Sequence, residues 1–164
     1  TLGGAVVQWE GEHSIETAVC AQLDEAGLTQ FIQAALDVAD DLDGAAQSYA
    51  GKLESLGAPG AKTGAELLNV ATWTHAGVDL KRAREIVGRA AKSKSWFKRV
   101  DKGRRLARFM LDTPGLQTGD VRAKLDELKA AIYARSEKTP TNAPGVQSGP
   151  TGGARTEGAE LPGA

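Results

Sequence analysis

Apolar residues recur at helical spacing along most of the chain, and the longest such pattern covers residues 29–56. Its apolar positions alternate in steps of three and four: Ile32, Ala35, Ala39, Leu42, Ala46, Tyr49, Leu53 and Leu56. Residues three and four apart lie on one face of an α-helix, and a sustained alternation is the heptad pattern of coiled coils. The pattern predicts one long helix over residues 29–56, with Thr29 as its cap.

Two more helices are predicted from capping residues on either side of this segment. Ser14 is a favourable N-cap for a helix over residues 14–26, and Gly27 is a typical residue at which such a helix stops. Thr63 and Glu66 have the spacing of a capping box, in which each side chain bonds the other residue's backbone amide. A third helix is therefore expected from Thr63 to about residue 73.

Three amphipathic segments follow and predict three further helices. Asp79 can cap a fourth helix that ends near residue 91, and a fifth covers residues 96–111. Thr113-Pro114-Gly115 stops the fifth helix, and a sixth runs from about residue 119 to 135. The sixth carries a second heptad-like seam of Val121, Leu125, Leu128 and Ile132.

The fold class expected from these elements is all-α, a compact bundle of five to six helices over residues 13–136. Residues 1–12 are expected to form an irregular arm or a short strand. Residues 137–164 hold four prolines and six glycines without periodicity. Such a segment buries too little apolar surface to offset the entropy of ordering, so a disordered tail is expected.

Charge changes this picture, because it is split along the chain. Residues 1–60 contain ten acidic side chains and one basic one, whereas residues 81–108 contain twelve basic and two acidic ones. The net charge of −1 conceals this asymmetry. A separation of this size indicates a partner for each charged surface, either within the chain or outside it.

Nucleic acid is the first external partner to consider for the basic segment. Cations on amphipathic helices can neutralise phosphates and release counterions. The expected phosphate contacts are Lys81, Arg82, Arg84, Arg89, Lys98, Arg99, Lys102, Arg104, Arg105 and Arg108. The segment before them also resembles the outline of a helix-turn-helix, with Gly77 as the turn glycine and residues 79–91 as the recognition helix. The bulky Trp73 departs from that motif, which expects a small residue there.

Three alternatives remain open for the same charges. The basic helices could face the acidic helix inside one molecule, where each exposed ion pair stabilises little. Trp96-Phe97-Lys98-Arg99 could instead contact an acidic membrane surface. Finally, the acidic heptad helix could bind a partner or a second copy, in a protein-interaction or assembly module. The partner-binding residues expected in that case are Ile32, Leu42, Tyr49 and Leu53.

Catalytic and metal chemistry finds little support in the sequence, so a non-enzymatic binding protein without a cofactor or small-molecule substrate is expected. His13, His75 and Cys20 are too far apart to form a recognised metal-ligand pattern. The four acids Asp37, Asp40, Asp41 and Asp43 fall within the predicted heptad helix rather than in a cation-binding loop. The stretch at residues 57–63 lacks the spacing of a phosphate-binding loop.

The location suggested by these properties is cytoplasmic. One cysteine excludes an internal disulfide, and no apolar run reaches the roughly 20 residues of a membrane span.

Two short patterns resemble motifs of the small helical substrates of type VII secretion. They are Trp9-Glu10-Gly11 and the stretch from Tyr133 to Glu137. The W-x-G of that family lies in the turn of a hairpin, whereas here it precedes the first predicted helix. A small secreted helical protein therefore stays a distant alternative.

Overall fold

The computed structural model describes residues 14–60 and 63–136, and the all-α prediction is confirmed over these ranges. They contain eight α-helices, one 3-10 helix and no strand. The elements are α1 (Ile15–Gln22), α2 (Glu25–Leu36), α3 (Leu42–Ser55), α4 (Gly64–Leu67), α5 (Ala71–His75), α6 (Leu80–Lys94), α7 (Val100–Asp112), the 3-10 helix (Pro114–Leu116) and α8 (Gly119–Ser136). The expected arm at 1–12 and tail at 137–164 lie outside the described residues.

The predicted heptad helix over residues 29–56 is wrong, because the chain turns between α2 and α3. Asp41 is the N-cap of α3, and its carboxylate accepts a hydrogen bond from the Gly44 amide at 3.1 Å. Asp24 caps α2 in the same way through the Gly27 amide at 2.7 Å, so Gly27 lies in the first turn of α2 rather than ending α1. Aspartate competes for backbone amides at helix starts, and here this local preference overrides the heptad pattern.

The helix predicted from Thr63 is also divided, into α4 and α5. Thr63 caps α4 as expected, accepting from the Glu66 amide at 3.3 Å. The break at residues 68–70 is held by a tertiary contact, in which the Val70 amide donates to Thr29 Oγ1 at 3.0 Å. Val70 is fully buried. A hydrogen bond to another helix thus replaces the continuation of this one.

α6 lies at the centre of the bundle. It begins after the N-cap Asp79, as predicted, and packs most extensively on α1, with further contacts to α3 and α2. Gly88 permits the close approach of α1, because a Cβ atom at this position would lie 3.1 Å from Thr17 Cα. α6 ends at Ser95, whose backbone is left-handed with φ of 53°.

An aromatic cluster fills the corner between α6 and α7. Trp96 and Phe97 were expected to begin the fifth helix, but they precede α7 and are buried at 1% and 5% exposure. The Phe31 ring lies 5.2 Å from the Phe97 ring and 5.6 Å from that of Phe109, and Tyr49 stacks on Trp96 at 4.4 Å. Five aromatic residues of the described ranges thus meet in this cluster, which joins α2, α3 and α7.

The last helix is docked mainly by its beginning. α8 contacts α1 and the 3-10 helix, and Val121 is fully buried. Leu125 is partly buried against the core, and Leu128 is 43% exposed. Of the three seam positions whose side chains are described, the first two therefore contact the core.

Candidate functional site

The structure separates the ten cations predicted to contact phosphates into three groups. Five have partners within the molecule: Arg82, Arg84, Arg99, Lys102 and Arg105. Three lie on the solvent side of α6 or in the corner that follows it: Lys81, Arg89 and Lys98. Two lie on the outer side of α7: Arg104 and Arg108. The first group is structural, and the other two form the candidate binding surfaces.

Ion pairs join α7 to the turn between α2 and α3. Arg105 lies 2.6 Å from Asp37, and Asp40 is contacted by Arg99 at 2.8 Å and by Lys102 at 3.8 Å. The hydrogen bonds that Gln33 and Arg105 donate lower the pKa of Asp37 below its ordinary value. Part of the charge split is thus neutralised inside one molecule.

Two arginines of α6 bond to the carbonyl ends of neighbouring helices. Arg84 Nε donates to the Leu23 carbonyl at 2.7 Å, just after α1. Arg82 donates to the Leu56 carbonyl at 2.9 Å, just after α3, and to Glu85 at 3.2 Å. Helix C-termini carry unpaired carbonyls and partial negative charge, which cations stabilise. These two arginines therefore hold the fold together.

Four cations in α6 or just after it have no carboxylate partner in the described part of the chain. They will be called the α6 cations: Lys81, Arg89, Lys94 and Lys98. All four are exposed, and none forms an ion pair among the described residues. Lys81 and Arg89 lie on the face of α6 opposite its buried residues. Lys94 was not among the residues predicted to contact phosphates. Its position within the basic segment could have identified it.

The outer face of α7 combines cations with apolar side chains, and it will be called the α7 face: Val100, Arg104, Ala107, Arg108 and Leu111. Val100 is 77% and Leu111 is 64% exposed. Neither arginine has an ion-pair partner in the described part of the chain. The spacing of four, three and four from Val100 to Leu111 places these residues on one side of the helix.

The helix-turn-helix outline is only partly formed. Gly77 adopts the expected turn, with φ of 89°, and α6 follows it. α5 has only five residues, however, and Trp73 fills the core at 1% exposure. Because Arg82 and Arg84 bond to backbone carbonyls, the start of α6 offers few side chains for reading base edges. This geometry departs from a DNA-reading motif.

Most of the apolar residues expected to contact a partner lie in the molecule's own core. Ile32, Tyr49 and Leu53 are buried, and Leu42 alone of these four is exposed, at 57%. The burial of Trp96 and Phe97 also removes the aromatic anchor expected at a membrane surface. Leu42 is therefore the one residue of this set that a partner can reach in the folded protein.

The described residues offer little that resembles a catalytic or metal centre. Cys20 is buried, and burial raises the pKa of its thiol far above the ordinary value, which keeps it protonated. Among the described residues no group of three or more His, Cys, Asp or Glu side chains could hold a metal ion. An open groove of about 620 Å³ beside the start of α2 includes Glu25, whose carboxylate accepts from Thr74.

No protein-family model, curated protein or solved structure matches this chain. No helix within the described ranges is long and apolar enough to cross a membrane. The exposed cations and aliphatic side chains of α6 and α7 are therefore the features that bear on function.

Proposed function

We propose that the protein is a non-enzymatic, cytoplasmic binding module whose α6 cations contact the phosphates of nucleic acid. One observation supports this proposal: none of these cations forms an ion pair with a carboxylate among the described residues. Other cations of the same basic segment, such as Arg99 and Arg105, do form such ion pairs. Five of the ten candidates bond to groups within the molecule, and Arg104 and Arg108 belong to the separate α7 face. The proposed contacts are the remaining Lys81, Arg89 and Lys98, together with the neighbouring Lys94.

The physical basis is the release of counterions. Each phosphate that a cation neutralises frees condensed counterions from the nucleic acid, so the logarithm of the binding constant falls with the logarithm of salt concentration. The slope for a duplex is about −0.9 per phosphate contact. Contacts of this kind position a protein on the backbone and carry little sequence information.

The experiment is a salt titration of duplex binding with the full chain and a triple variant, Lys81→Gln/Arg89→Gln/Lys98→Gln. The wild type should bind at about 50 mM salt and weaken steeply towards about 200 mM. Loss of three contacts should make the slope shallower by about 2.7. These three side chains are exposed and hold no other element in place, so the variant should keep its fold.

A matched control removes three positive charges from α8 instead, in Arg122→Gln/Lys124→Gln/Lys129→Gln. Because both variants lose three positive charges, they have the same net charge. A difference between their salt slopes therefore reports on the α6 surface and not on the overall charge of the protein. The control should keep the wild-type slope. Absence of wild-type binding at the lower salt, or equal slopes in the two variants, refutes the proposal.

The second candidate function is assembly, and one specific observation favours it. Three of the four large exposed aliphatic side chains in the described part of the chain lie beside charged residues at the α7 face or at the α2–α3 turn: Leu42, Val100 and Leu111. The acidic turn meets the start of α7 through the ion pair of Asp40 with Arg99, the residue before Val100, so groups of both charge signs lie beside these aliphatic side chains.

A further inference from the structure

The α7 face exposes two large aliphatic side chains beside its cations. Val100 and Leu111 are separated by three turns of α7 and are both more than half exposed. Arg104, Ala107 and Arg108 lie between them. Exposed aliphatic groups that share a helix face with unpaired arginines are typical of a surface that a protein partner covers.

The turn between α2 and α3 supplies the complementary chemistry, and it will be called the acidic corner: residues 40–43. Leu42 is 57% exposed, between Asp41 and Asp43. Asp43 is exposed and forms no ion pair among the described residues. Like the α7 face, the corner combines an exposed aliphatic side chain with charge, but of opposite sign.

The acidic corner adjoins the first turn of α7. Asp40 forms ion pairs with Arg99 and Lys102, at 2.8 Å and 3.8 Å. Arg99 directly precedes Val100, which begins the α7 face. The acidic corner therefore lies beside the start of the α7 face. Leu42 and its aspartates are at this end, and Leu111 and Arg108 are at the other end of α7.

We propose that the acidic corner and the α7 face form a dimer interface between two copies of this chain. A two-fold axis would place each corner against the partner's Arg104 and Arg108, with the two α7 helices antiparallel. The partner is a second copy because each copy contributes both halves of a complementary surface. A two-fold interface uses the same patch on both subunits and closes as a dimer.

The charge at the corner also argues against a phosphate ligand on this surface. Asp41 and Asp43 would repel a polyanion, whereas they complement the arginines of another copy. The α6 cations have no carboxylate partner of this kind. The dimer proposal therefore rests on the assembly candidate, which it makes specific, and it uses residues other than those of the proposed nucleic-acid contact.

The first test is the mass of the full chain in solution, measured by analytical ultracentrifugation without nucleic acid from micromolar to millimolar concentration. The wild type should shift from monomer to dimer as concentration rises. Leu111→Glu should raise the dimer dissociation constant by about tenfold or more, because it replaces a buried aliphatic contact with a carboxylate that faces the partner's acidic corner. The matched control is Leu128→Glu, which changes an exposed leucine of α8 and should leave the dissociation constant unchanged.

The second test reverses charge on each half of the surface. Arg104→Glu/Arg108→Glu and Asp43→Lys should each raise the dissociation constant by about tenfold or more, because like charges then meet. An equimolar mixture of the two variants should recover the dimer, since each reversed half meets a partner of opposite sign. Recovery by mixing cannot arise from misfolded variants.

Three results would each refute the proposed interface. The wild type could stay monomeric at all concentrations, or the charge-reversed variants could dimerise like the wild type. The equimolar mixture of the two variants could also stay monomeric. Growth beyond a dimer would refute the two-fold geometry. The Lys81→Gln/Arg89→Gln/Lys98→Gln variant should dimerise like the wild type, because it leaves the proposed interface intact. Failure of the dimer proposal would therefore not affect the nucleic-acid test.

Discussion

The close approach of α1 to α6 at Gly88 predicts that Gly88→Ala destabilises the protein. The added Cβ would lie 3.1 Å from Thr17 Cα, 3.3 Å from Thr17 Cγ2 and 3.5 Å from Cys20 Cβ. Carbon atoms in optimal contact are about 3.5–4.0 Å apart. The shortest contact is made to the backbone of α1, so α1 itself must give by a few tenths of an ångström, which is harder than moving the end of a flexible side chain.

The magnitude follows from two opposing terms. Overpacking of a core typically costs about 1–3 kcal/mol, whereas replacing glycine by alanine inside a helix contributes about 1 kcal/mol of stability. Gly51→Ala is the matched control, because Gly51 lies within α3 and no heavy atom would lie within 4 Å of its Cβ. The two variants share the helix-propensity gain, so their difference isolates the contact with α1.

Equilibrium unfolding in urea measures both free energies of unfolding. Gly51→Ala should be more stable than the wild type by up to about 1 kcal/mol. Gly88→Ala should lie about 1–3 kcal/mol below Gly51→Ala, with the same dependence on denaturant. If the two variants are stabilised equally, the close packing of α1 on α6 is refuted.

Three further predictions concern single side chains. Ser95→Gly should stabilise the protein by about 1 kcal/mol in thermal or urea unfolding, because the left-handed backbone at φ of 53° strains a residue with a Cβ; an unchanged or lower stability would contradict this. Asp37→Asn should reduce stability at neutral pH by up to about 1 kcal/mol. The pKa of Asp37 is lowered in the folded protein by Gln33 and Arg105, so its contribution is present above the ordinary value of 3.8 and is lost as pH falls below it. Urea unfolding of both proteins across this range should show the gap closing in acid, and a constant gap would refute the ion-pair explanation. Thr29→Val should cost about 1–3 kcal/mol in the same assay, because it leaves a buried backbone amide before α5 without a partner; stability equal to that of the wild type would mean that this bond contributes nothing.

Local signals in the sequence predicted the helical class and several helix starts correctly. Ser14, Thr63 and Asp79 are N-caps in the structure, each accepting a hydrogen bond from the amide three residues later. Capping depends on a few neighbouring atoms, so the residue type carries the information. The start of α8 was predicted for a similar reason, because Thr113-Pro114-Gly115 ends the preceding helix locally.

The break between α2 and α3 shows where a periodic pattern misled the prediction. Two helices that bury their apolar faces in one core can preserve alternating steps of three and four across a turn. The signal that could have found the break was Asp41 followed by Gly44, which form the cap of α3. Asp40 and Asp41 were expected inside the heptad helix but lie at its break, where Asp40 pairs with Arg99 just before α7.

The sequence by itself determined the sign of charge along the chain, the preference for helix and the residues that begin several helices. Only the tertiary structure decided that Arg105 meets Asp37 while Arg104 faces outward, and that Trp96 is buried while Val100 is exposed. Neighbours in sequence are about 100° apart around a helix, so one can meet the core while the next meets solvent, and a charge count cannot separate them. What a cation contacts depends on residues brought close by folding from about 60 positions away, as in the pair of Arg99 and Asp40.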